Sequence, residues 1–94
     1  MAEIDENFFD RADEHIYLSN KQLSTSSNGK VSASMMYSVA RFNSWISASG
    51  FSNSVEMKGA KEETIKYFVT EYKKMLEENL DDYIENFDKY MKSE

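Results

Sequence analysis

The sequence predicts an all-α fold: a three-helix, bundle-like single domain over residues 1–94, with a long amphipathic C-terminal helix and a homodimeric state. Three observations carry that expectation. The chain of 94 residues has no proline, where average usage gives about five in this length, and helix interiors exclude proline. Cap-type residues stand ahead of apolar runs at helical spacing. The segment from Ile65 to Met91 holds thirteen apolar or aromatic residues, and all but Tyr67 fall on one half of the helical wheel.

Helix 1 is expected over about residues 5–23. Asp5 is an Asx cap, and Asp5 and Glu6 suit the positive end of the helix dipole. Phe8, Phe9, Ala12, Ile16 and Leu23 share one arc about 100° wide. Residues 24–30 (STSSNGK) read as a loop. Helix 2 is expected over about residues 32–49, capped by Ser32. Gly50 would end it in a left-handed turn, with Phe51 meeting Ile46. Arg41 is the only charged residue between Val31 and Gly50. A helix apolar or small on nearly all sides is usually buried, so helix 2 is expected at the centre. Asn53 and Glu56 resemble a capping box for an extra turn over 53–58. Helix 3 follows over about 60–92, interrupted or bent near Gly59.

Length makes helix 3 informative. At 1.5 Å per residue it spans about 50 Å and helix 2 about 27 Å. The overhang carries Leu80, Tyr83, Ile84, Phe87, Tyr90 and Met91 without obvious intrachain cover. An apolar patch of that size on a small protein marks an interface, and a two-fold pair of identical chains is the commonest solution. The stripe spacing of 4, 3, 4, 4, 3, 4, 4 from Ile65 to Met91 is that of a nearly straight helix rather than a heptad coil.

Composition removes several function classes. There is no cysteine, so no thiolate metal site, iron–sulfur cluster or redox dithiol is available. The N-terminus carries Glu3, Asp5 and Glu6 in place of a basic, apolar leader, and no run reaches the length of a membrane span. A cytoplasmic location is the expectation. The net charge of −6 disfavours both nucleic acid and an anionic membrane as partners. Charge is segregated: −5 over residues 1–20, +4 over 21–61 and −5 over 62–94.

The candidate sites are few. His15 is the single histidine, and residue 12 is Ala12, so the Glu-x-x-His pairs of a di-metal bundle are missing. No nucleophile elbow, dinucleotide fingerprint, phosphate loop or calcium loop is present. No catalytic residue, metal ligand or cofactor is therefore expected, and the chain reads as a non-enzyme. Arg41, Asn43 and Trp45, with His15, form a candidate ligand or ion-pair site: a guanidinium on a buried helix needs a carboxylate, with Asp10, Asp13 or Glu71 as candidates, or a bound anion. Glu77, Glu78, Asp81, Asp82, Glu85 and Asp88 form a candidate acidic face for docking a basic partner protein. The competing reading is a solvated face that aids solubility.

The stretches FFDRADEHI (8–16), KVSASMMYSVARFN (30–43) and YFVTEYKKMLEENLDDYIENFDKYM (67–91) resemble a family of small proteobacterial proteins classed as a domain of unknown function. The resemblance runs from about Phe8 to Met91, and the C-terminal segment is its most specific part. It implies a bacterial cytosolic protein without an assigned activity, and it implies no catalytic or ligand residue. Residues and resemblance together give two expectations: an interaction and oligomerisation module with an acidic face, or an anion or small-ligand binder around Arg41, Asn43 and Trp45.

Overall fold

The computed structural model describes residues 4–92, and all regular structure among them is helical. Five helices follow in order: α1 (Phe8–Gln22), α2 (Asn28–Ala48), α3 (Ser54–Gly59), α4 (Lys61–Glu85) and α5 (Phe87–Met91). They fall into two compact units, one ending at Met57 and one beginning at Lys58.

In the first unit, α1 begins later than Asp5. Asn7 occupies the cap position without a side-chain cap bond. Asp5 is otherwise engaged: Arg11 donates to its carboxylate at 2.6 and 3.3 Å. The guanidinium holds the Asp5 carboxyl below its ordinary value of 3.8. That contribution is present above the ordinary value and is lost as pH falls through the lowered one. Both groups are exposed, so the pair is a weak tie.

α2 starts at Asn28 rather than near Ser32. Ser27 is the cap: its backbone is extended, and its Oγ accepts from the Lys30 amide at 3.3 Å. Gly29 therefore lies in the first turn of a helix, where its backbone keeps a negative φ, and not in a loop. Gly50 also differs from expectation. No glycine among the described residues has a positive φ. The helix closes instead through tight turns, Gly50 N to Ser47 O and Phe51 N to Ala48 O, each 3.1 Å.

α1 and α2 pack on each other, and Ser19 Oγ donates to Met35 Sδ at 3.4 Å. The expected burial of α2 is not found. Val31, 7% exposed, is the one buried side chain among the described residues. The small and apolar residues of α2 are an instruction to bury that helix, but its faces remain open.

α3 is capped from both sides. The Glu56 amide donates to Asn53 Oδ1 and the Ser52 amide to Glu56 Oε1, each at 2.9 Å. The reciprocal bond thus reaches one residue further back than in a standard capping box.

The second unit is dominated by α4, which carries Glu62 and Glu63 in its first turn, where the helix dipole favours them. Ala60, with φ −100° and ψ 5°, separates it from α3. The expected single helix to about residue 92 ends at Glu85. Asn86 leaves the helical region (φ −113°, ψ 29°), and α5 restarts at Phe87. The Asn86 side chain donates to the backbone oxygen of Asp82 at 3.0 Å and to Asp82 Oδ1 at 2.9 Å. An asparagine that bonds its own turn competes with the helix ladder. Among the described residues, side-chain hydrogen bonds join groups no more than eight positions apart, with Ser19 and Met35 the exception.

Candidate interaction surface

The apolar stripe of α4 is set by helical period, since residues three and four apart lie on one face. None of its residues is buried. Leu80 and Tyr83 are about half exposed and Ile84 is 73% exposed. Phe87, Tyr90 and Met91 continue the exposure on α5.

The break at Asn86 does not let α5 drift away. Tyr90 Oη donates to Asp82 Oδ2 at 3.0 Å, and the Tyr83 and Tyr90 rings lie 4.6 Å apart between centroids. Asp82 thus accepts three bonds from side chains at the kink, a role that the sequence spacing of eight to Tyr90 does not signal. The neighbouring carboxylate raises the Tyr90 pKa above its ordinary 10.0. A raised value means the bond contributes fully below pH of about 10 and is lost as pH rises through the higher value. In an alkaline titration followed by absorbance, Tyr90 is expected to ionise above its ordinary value. Asp82→Asn should lower the pH of that ionisation; a titration curve unchanged by the substitution would contradict the clasp.

The acidic face is solvent-exposed throughout. Glu77 pairs with Lys73 at 4.0 Å and Asp88 with Lys92 at 3.6 Å. Asp82 is held at the kink. Glu78, Asp81 and Glu85 make no ion pair among the described residues.

In the first unit the structure brings Arg41 and Trp45 together. One helical turn apart, they line an open groove with Tyr37, Phe42 and Met57. Its aromatic side chains are strongly exposed: Tyr37 by 68%, Phe42 by 61% and Trp45 by 65%. The Phe42 and Trp45 rings lie 6.1 Å apart. Asn43 and His15 are not in the lining. Asn43 stands two positions from Arg41 and Trp45, on the opposite side of α2, and His15 belongs to α1. Arg41 makes no ion pair among the described residues, so the structural pairing expected for it is absent there. Sequence spacing does not signal this groove, because Met57 lies on α3 and the other lining residues lie on α2.

No group of three potential metal-ligating side chains occurs among the described residues, and no helix there is long and apolar enough to cross a membrane. What fold and surface define is an all-helical chain whose apolar faces are displayed rather than enclosed. It belongs to a known family: the model of the family described as "Protein of unknown function (DUF3144)" matches residues 8–84. No curated protein and no solved structure gives a match.

Proposed function

We propose that this chain is a non-enzymatic interaction module of the bacterial cytosol that works as a homodimer, burying the distal stripe of α4 and α5 against a second copy. The observation that carries this reading is the exposure of Leu80, Tyr83, Ile84, Phe87, Tyr90 and Met91 on helices held in fixed geometry by Asp82. Leaving such a set in water forgoes roughly 25 cal/mol for each Å² that could be covered. The exposed carboxylates Glu78, Asp81 and Glu85 then keep the assembled protein soluble and steer a basic partner protein toward it. A binder of small anions at Arg41 has weaker support, because the groove is open and Asn43 and His15 lie outside its lining. The deciding measurement is absolute mass by light scattering behind a sizing column, at two concentrations. A mass twice 10.9 kDa is the expected result. A single-copy mass throughout would overturn the reading.

A further inference from the structure

Two apolar surfaces stand open on this chain, and they differ in charge. The groove on α2 carries Arg41, and α2 has Lys30 besides and no acidic residue. The distal stripe is flanked by Asp81 and Glu85, next in sequence to Leu80 and Ile84. Arg41, Asp81 and Glu85 all lack an ion pair among the described residues. An apolar groove with an unpaired cation therefore faces the problem that an apolar stripe with unpaired anions would solve.

We propose that the distal stripe of each copy lies in the Tyr37–Trp45 groove of the other, with Arg41 facing the partner's Asp81 and Glu85. The proposal deepens the homodimer reading and rests on it.

The chain has no cysteine, which makes the test direct. Ser44→Cys places a thiol in the groove and Ile84→Cys one in the stripe. The two variants are unfolded together, refolded as a mixture and oxidised, and the disulfide-linked products are identified by mass spectrometry. The expected product joins position 44 of one copy to position 84 of the other, and neither variant alone forms it. A dimeric mass with only 84-to-84 linkage, or with no mixed product, overturns the groove docking and leaves the homodimer standing. A single-copy mass overturns both. The unmodified chain gives a second readout that does not depend on the variants folding. Trp45 is the only tryptophan, so its emission should shift to longer wavelength as dilution takes the mass from two copies to one. Emission unchanged across that transition also overturns the docking.

Discussion

Leu80→Asp is expected to convert a dimer into a chain of 10.9 kDa. The substitution puts a carboxylate at the start of the distal stripe, where the proposed contact excludes water. An uncompensated buried charge costs about 3 kcal/mol or more, roughly a hundredfold in association for each copy. A two-fold contact takes the penalty twice, so the pair weakens by about ten-thousandfold. The helix itself is a minor part of the effect. Leucine to aspartate costs about 0.5 kcal/mol of helix propensity at an exposed position, and Leu80 is 52% exposed in the single chain. Phe87→Asp should act in the same way from α5. Light scattering reads the outcome, with circular dichroism alongside to follow helix content. Mass and melting unchanged in both variants would remove the stripe from any interface.

The second large effect is on stability against dilution. Val31 is the one buried side chain among the described residues. Fully burying a valine contributes about 2 kcal/mol, while ordering each backbone residue costs about 1–2 kcal/mol. Helices of α1's length are marginal in water by themselves. In the proposed homodimer, assembly contributes much of the folding free energy, and melting should depend on concentration. Each tenfold dilution removes about 1.4 kcal/mol per dimer. Against an unfolding entropy of about 0.4 kcal/mol/K for two chains, that lowers the melting temperature by about 3 °C. Thermal melts over a hundredfold concentration range test this. A melting temperature that does not move would show that one copy holds its own fold.

The all-α class was legible because several local signals agree. Absent proline, helical period and the Asn53–Glu56 cap all point the same way. Boundaries were less legible where one residue type serves two purposes. Gly29 read as loop punctuation, yet it sits in the first turn of α2 because Ser27 was available to cap it. Gly50 read as a left-handed stop, yet a right-handed backbone closes the helix. The break at Asn86 was hidden because the apolar stripe runs through it without a change of period. The burial of α2 was misread for a different reason. Composition states what a helix would gain by being covered, and it is silent on whether the cover comes from the same chain. Of the Arg41, Asn43, Trp45 and His15 set, the spacing of four puts Arg41 and Trp45 side by side, and the spacing of two sends Asn43 to the other side.

The short reach of the side-chain hydrogen bonds bears on how the molecule forms in time. Bonds between neighbours a few positions apart need little loop closure, so the helices themselves take shape within microseconds. With no proline in the chain, no slow peptide-bond isomerisation stands in the way. In the proposed homodimer, the slow event left is the meeting of two helical chains, a bimolecular encounter whose rate is set by how much of the protein the cell makes. Expression level would then govern the pace of maturation, and a sparsely made copy would spend most of its life waiting for another.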